Sequence, residues 1–375
     1  SSVNLPIGIA LLPIIFLVLL LSINVFIYGD DSLNGTNQFI LILSGLFGAS
    51  LGFIYKVSYK KILKSISNSV KSVTGALLIL LFVGALAGTW MISGVIPSMV
   101  YYGLKILDPN IFLPACVIIC SIISVATGSS WTTSATVGIA LVGIGKALGI
   151  PPGMVGGAVI AGAYFGDKLS PLSDTTNLAA AVTKVDLFKH IKYLTYTTIP
   201  SISITLIVFI ILGFLQVSDG STDNSYLLTA ITEKFNISLV LFIVPILVLI
   251  MIIKKTPPLI ALVIGTLVGA LFSIIFQPQI IAELSADSNS KLINTYVVIM
   301  DTITGPVSIE TNNAMLNDLF STGGMLGMLN TIFLVIGTMV FGGVMEAIGA
   351  LKTISKTLLE WADTSFKLFA STVAS

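Results

Sequence analysis

Two short stretches of this sequence carry most of its chemistry. One reads Gly166-Asp167-Lys168-Leu169-Ser170-Pro171-Leu172-Ser173-Asp174-Thr175-Thr176-Asn177. The other, Thr127–Thr136, is opened by Gly128 and supplies the hydroxyls of Ser129, Ser130, Thr132 and Thr133. Hydroxyl, carbonyl and carboxylate oxygens in unwound chain are hard ligands suited to a small cation such as sodium. Asp174 has no adjacent base and is flanked by Ser173, Thr175, Thr176 and Asn177. A carboxylate there can hold a proton or a cation, because desolvation favours the protonated form and a bound cation the ionised one. Competition between the two is the simplest physical basis for exchange, with sodium near Asp174. Asp167 lies seven residues earlier, beside Lys168, and reads either as a second cavity-facing acid or as an ion pair at a helix end. Glu346, late in an apolar stretch, reads as a second proton site or as a carboxylate snorkelling toward the surface near Lys352.

The elements that must position these residues are membrane spans. Of 375 residues, 55% are hydrophobic and 9% charged, with a mean hydropathy of +1.04, against about 25% charged in soluble domains. Leu5–Tyr28, Ser72–Leu104, Pro109–Gly145, Ala147–Gly166, Tyr193–Ser218, Thr256–Ala282 and Leu319–Met345 contain no Asp, Glu, Lys or Arg. Each reaches the roughly 20 apolar residues that cross a bilayer as helix. The fold class is therefore an all-α polytopic membrane protein, and aqueous enzymes and nucleic-acid partners are excluded. Pro171 removes a backbone donor, so the polar stretches predict broken or re-entrant helices, tolerated only where they are buried in protein or face a water-filled cavity. Cys116 and Cys120 read as packing residues, and His190 sits in a basic loop, so no metal, cofactor or nucleophile chemistry is indicated.

Loop charges set the orientation. Basic connections (Lys56 to Lys71, Lys184 to Lys192, Lys254 with Lys255, Lys352 with Lys356) alternate with acidic ones (Asp30 with Asp31, Asp219 with Asp223, Glu283 through Asp318). Placing the basic ones in the cytoplasm puts the N-terminus there too. The lysines of Lys56–Lys71 alternate with Ile62, Leu63, Ile66 and Val70 at helical spacing, which predicts an amphipathic helix on the cytoplasmic interface.

The chain also repeats itself. Asn4 precedes Pro13, and Asn236 precedes Pro245, by nine residues. Gly45 with Gly48 then matches Gly265 with Gly269, and Leu81-Phe82-Val83-Gly84 matches Leu334-Val335-Ile336-Gly337. Opposite loop charges make this an inverted repeat, an architecture of secondary transporters. Its parts are a first repeat at 1–216 carrying the polar motifs, an extracytoplasmic connector at 217–235, and a second repeat at 236–375. The span matching the one before Thr127 would start near Phe366, and the residues to Ser375 are too few to cross a membrane. The expectation is that the second polar segments lie beyond Ser375.

The run from Gly166 to Ala179, with Ile150-Pro151-Pro152 and Thr127-Gly128-Ser129-Ser130-Trp131 before it, closely resembles the NhaC-type sodium/proton antiporter family. The resemblance implies an inner-membrane antiporter of the ion-transporter superfamily, exchanging sodium for protons or, in some members, organic acids such as malate against lactate with coupled ions. Two functions follow as expectations. The first is sodium/proton antiport around Ser129, Thr132, Thr133, Asp174 and Asn177. The second is sodium- or proton-coupled exchange of a small organic anion or amino acid, with Lys168 available for its carboxylate. Dimerisation is common among such transporters, which leaves a homodimer open.

Overall fold

The computed structural model describes residues 5–106, 108–171, 173–216, 225–254, 256–285 and 290–361. Asn4, residues 217–224 of the 217–235 connector and the stretch from Phe366 to Ser375 lie outside the described residues. Seven described helices are long and apolar enough to cross a bilayer, and an eighth span exists if one pair bent by 83° counts as a unit. The chain begins with α1 (Ile7–Tyr28), α2 (Thr36–Ile54), α3 (Tyr59–Ser72), α4 (Thr74–Ile92), α5 (Val95–Ile106) and α6 (Pro109–Thr127). It continues through α7 (Ser130–Thr133), a π-helical turn (Ser134–Gly138), α8 (Ile139–Ala147), α9 (Pro152–Leu169), α10 (Asp174–Thr183) and α11 (Leu187–Gln216). After it come α12 (Ser225–Lys234), α13 (Ile243–Ile253), α14 (Pro258–Phe276), α15 (Pro278–Leu284) and α16 (Lys291–Thr304). The last are α17 (Ala314–Leu319), α18 (Gly324–Gly327), α19 (Leu329–Ile348) and α20 (Ala350–Trp361). Two-residue strands β1 (Val307–Ser308) and β2 (Ser321–Thr322) pair antiparallel, a small addition to an otherwise helical fold.

Breaks fall where backbone chemistry demands them rather than where the uncharged runs end. Ser72–Leu104 is two helices because Gly94 adopts φ 80°, a left-handed conformation that only glycine takes readily. Pro109–Gly145 divides at Gly128, φ 68°. The acidic connection from Glu283 to Asp318 contains α16 and α17, and its Asp318 pairs with Lys146 at the end of α8. The span expected from Leu319 begins only at Leu329, because Ser321 and Thr322 are paired as strand and Gly324 is left-handed.

The helices group into two compact units, Ser1–Leu80 with Met328–Ser375, and Leu81–Gly327. In the first, α1 packs on α2, and Gly45 and Gly48 of α2 lie against Val340, Phe341 and Val344 of α19. The expected amphipathic helix is α3, started by Ser58, whose hydroxyl accepts from the Lys61 amide at 3.3 Å. Its Ile62 is buried beside Val344 and Ile348, while Lys60, Lys61, Lys64 and Lys71 are exposed. Gly343 allows this approach, since a Cβ there would meet the Ile66 backbone 2.7 Å away. In the second unit α13 packs on α14, and Gly265 and Gly269 of α14 lie against Leu86, Thr89 and Trp90 of α4. The Trp90 indole donates to Gly265 O at 3.3 Å. Helix α11 is exposed along most of its length, Ile204, Phe214 and Leu215 included, as lipid solvent allows.

Candidate functional site

The polar segments are brought together by two helices lying side by side and parallel. A Cβ on Gly162 or Gly166 of α9 would overlap the carbonyl oxygens of Val117 and Ser121 of α6, so these glycines set the contact distance. The register continues with Ser170, whose hydroxyl donates to Val125 O at 2.7 Å. Ser124 adds a bond to Ala163 O at 2.5 Å. Of the other glycines that could serve close helix contact, Gly88 does so against Thr302, whereas Gly156 faces open space.

Because α6 and α9 are parallel and in register, they stop together. Helix α6 ends at Gly128, and α9 ends at Leu169 before Ser170-Pro171. Their C-terminal carbonyls, the negative ends of two helix dipoles, therefore point to one place. Beside them the chain restarts twice, at Ser130 and at Asp174. Ser173 starts α10, its hydroxyl accepting from the Thr176 amide at 3.4 Å, which places Asp174 in the first helical turn.

The space between these ends is an open cavity of about 680 Å3. Thr127, Gly128, Ser129, Ser130 and Trp131 line one side, and Asp167, Pro171, Ser173, Thr175 and Asn177 another. Asp167 is its described acid, and its Oδ2 accepts from Ser130 Oγ at 3.1 Å. No ion pair joins Asp167 to Lys168 among the described residues. Lys168 lines a separate recess with Tyr164, Thr198 and Thr205. No Lys, Arg or His is among the described residues lining the cavity.

Other hydroxyls support the walls. Thr133 is fully buried and donates to Ser129 O at 2.9 Å, with Thr127 Oγ1 at 3.3 Å. Thr176, 4% exposed, donates to the carbonyls of Asp167 and Lys168 at 3.3 and 3.2 Å, so it binds the free end of α9. Asn177 Nδ2 donates to Pro171 O and Ser173 O at 2.8 and 2.7 Å, holding the break in shape. Of the residues singled out in the sequence, Asp167, Ser129, Ser173, Thr175 and Asn177 line the cavity, and Thr133 and Thr176 stand behind it. The side chains of Thr132 and Asp174 lie outside the described residues. Glu346 belongs to the other unit, at an exposed position where it accepts from Ser65 Oγ at 3.2 Å.

The third wall was not foreseen: Ile252, Thr256, Pro257 and Pro258, where α13 turns into α14. A signal for it exists, since Pro257-Pro258 repeats Pro151-Pro152, and both pairs open a helix. The two prolines bring no N–H, and the Thr256 amide donates to Met251 O at 3.0 Å. Helix ends of both signs meet here, the carboxyl ends of α6 and α9 and the amino ends of α7, α10 and α14, so it is the Asp167 carboxylate with the hydroxyl oxygens that suits the cavity to a cation.

Comparison with known proteins agrees with this chemistry. A sequence profile of the Na+/H+ antiporter family matches residues 162–375. The chain is 39% identical over 345 residues to a malate-2H+/Na+-lactate antiporter of Bacillus subtilis, covering 92% of this chain and 69% of that protein. It is 35% identical over 335 residues to the Na+/H+ antiporter NhaC of Alkalihalophilus pseudofirmus, covering 89% and 70%. An arginine/ornithine antiporter of Halobacterium salinarum is 32% identical over 361 residues, covering 95% and 70%. No solved structure matches the chain.

Proposed function

The chain belongs to the Na+/H+ antiporter family, and from that premise we propose that it exchanges sodium for protons at the cavity between α6, α9 and the α13–α14 turn. It is a multi-pass membrane transporter and not an enzyme. The observation that carries the site is the meeting of two parallel helix C-termini and Asp167 in one open cavity. Sodium binds the ionised carboxylates of Asp174 and Asp167 with help from Ser129, Ser173 and Thr175, and a proton displaces it by neutralising the same oxygens. Length supports the depth this needs. Asp174 starts a helix of ten residues that ends at the basic Lys184–Lys192 connection, so it lies at most about 15 Å, half a hydrocarbon core, from that connection.

Alternating access follows from an inverted repeat, which the packing supports. Both α4 and α19 are followed at a left-handed glycine, Gly94 (φ 80°) and Gly349 (φ 83°), by a helix of 12 residues. The exchange of partners is also symmetric, with the second span of each half packing through its glycines on the third span of the other, α2 on α19 and α14 on α4. The basic loops support a cytoplasmic N-terminus.

A second reading, coupled exchange of a small organic acid, is favoured by cavity size. About 680 Å3 exceeds the need of a bare ion and lies within the roughly 300–1,000 Å3 of small-molecule sites. Among the described residues no base lines the cavity, and on this reading the anion enters with its cation. Proton movement in proteoliposomes after a sodium pulse, with no organic solute present, tests the first reading. Flux that appears only after malate, lactate or an amino acid is added would establish the second instead.

A further inference from the structure

Three helix breaks in the second unit converge on one side chain, Gln277. It is 2% exposed and sits at the junction of α14 and α15. Its Oε1 accepts from the Asn236 amide at 3.0 Å, and its Nε2 donates to Asn236 O at 2.9 Å. Asn236 is the break between α12 and α13, the pair bent by 83°. Asn236 Nδ2 returns a bond to Phe276 O at 3.3 Å. On its other side Gln277 fills the space that a Cβ on Gly94, the α4–α5 break, would need.

We propose that Gln277 is a positioning residue that clamps the α13–α14 hairpin and so fixes the third wall of the transport cavity. The hairpin explains how it acts at a distance. Helices α13 and α14 pack against each other and are joined through Thr256–Pro258, which line the cavity. Gln277 and Asn236 close the opposite end, about 28 Å away along the 19 residues of α14. An amide is well suited to this, because it satisfies both the N–H and the C=O of one residue at a kink that has lost its helical partners. With the far end tied, the two helices move as one body and the wall keeps its distance from α6 and α9.

The role in transport rests on the cavity being the transport site, whereas the clamp does not, and the test separates them. A Thr256→Cys reporter is labelled by a small water-soluble thiol reagent, the native Cys116 and Cys120 being buried. In this background Gln277→Met keeps the volume against Gly94 but loses both bonds. Labelling should rise about tenfold, the factor equivalent to roughly 1.4 kcal/mol, two hydrogen bonds of about 0.7 kcal/mol each. Gln277→Glu supplies the conservative rescue. A protonated carboxylic acid offers the same donor and acceptor as the amide, and an ionised one loses the donor. Relative to the Gln277 protein at each pH, its labelling should be normal in acid and raised in alkali. Sodium-dependent proton flux should show a raised half-saturating sodium concentration in Gln277→Met. Unchanged labelling in both variants overturns the clamp. Raised labelling with unchanged sodium dependence overturns its role in transport. If the unmodified protein moves no protons with sodium, the functional reading fails while the labelling still decides the clamp. Should Gln277→Met not fold, the pH dependence of Gln277→Glu labelling decides alone.

Discussion

At the scale of single residues, the polar motif divides its labour between oxygens that face the cavity and oxygens that hold the chain. Asp167 and Ser130 meet across the break, whereas Thr176 and Asn177 spend donors on carbonyls released when α9 stops. Replacing a carboxylate by its amide isostere removes charge with little change of shape. Asp174→Asn and Asp167→Asn should each lower sodium-driven proton flux by about a hundredfold, the rate equivalent of losing roughly 3 kcal/mol of charge-assisted interaction. The Asp167→Asn protein should remain monodisperse, since Asp167 is in no ion pair among the described residues. Flux retained in Asp174→Asn would remove that residue from the mechanism. Asp167 and the hydroxyls that line the cavity with it were legible in the sequence because polar residues are conspicuous inside apolar runs. Their division from supporting hydroxyls was not, since Ser and Thr serve either purpose with identical chemistry.

At the scale of elements, the site depends on two glycines four residues apart. Gly162 and Gly166 face backbone carbonyls that cannot swing aside, so an added methyl must push α9 away from α6. Overpacking of this kind costs about 1–3 kcal/mol. Gly166→Ala should lower the melting temperature in detergent and weaken sodium dependence together. Gly156→Ala meets nothing within 4 Å and should leave both near normal. Equal effects of the two substitutions would contradict the packing described. The sequence shows the glycines but not which of them touch, because lipid-facing and helix-facing sides of a span are equally apolar and the usual amphipathic signal is absent. For the same reason the split at Gly94 and the wall at Thr256–Pro258 are hidden in long uncharged runs. Helix α3 was legible, because at a water boundary the alternation of lysine and isoleucine returns. Gln277 was missed because its partners, Asn236 and Gly94, are far away in the chain and meet it only in the fold.

At the scale of the whole molecule, the apolar spans were readable from composition, and the break at Gly94 and the pairing of distant spans were not. The contacts of α2 with α19 and of α14 with α4 both rest on glycines, Gly45 and Gly48 in one and Gly265 and Gly269 in the other. The parallel course of α6 and α9 carries a further consequence. In an antiparallel pair the fields of neighbouring helices cancel, but here the carboxyl ends of α6 and α9 reinforce the Asp167 charge at an open cavity, against the amino ends of α7, α10 and α14 that start beside it. On the sodium-exchange proposal, the Asp167 charge and the paired carboxyl ends would steer the cation before any ligand touches it, and steering of this sort is screened by dissolved salt. At low ionic strength, with choline salts varied, the bimolecular rate of sodium capture should rise while turnover of the saturated carrier holds constant. Stopped-flow measurement of the two rates would detect this, and a capture rate indifferent to salt would mean that the Asp167 charge and the paired carboxyl ends draw nothing in.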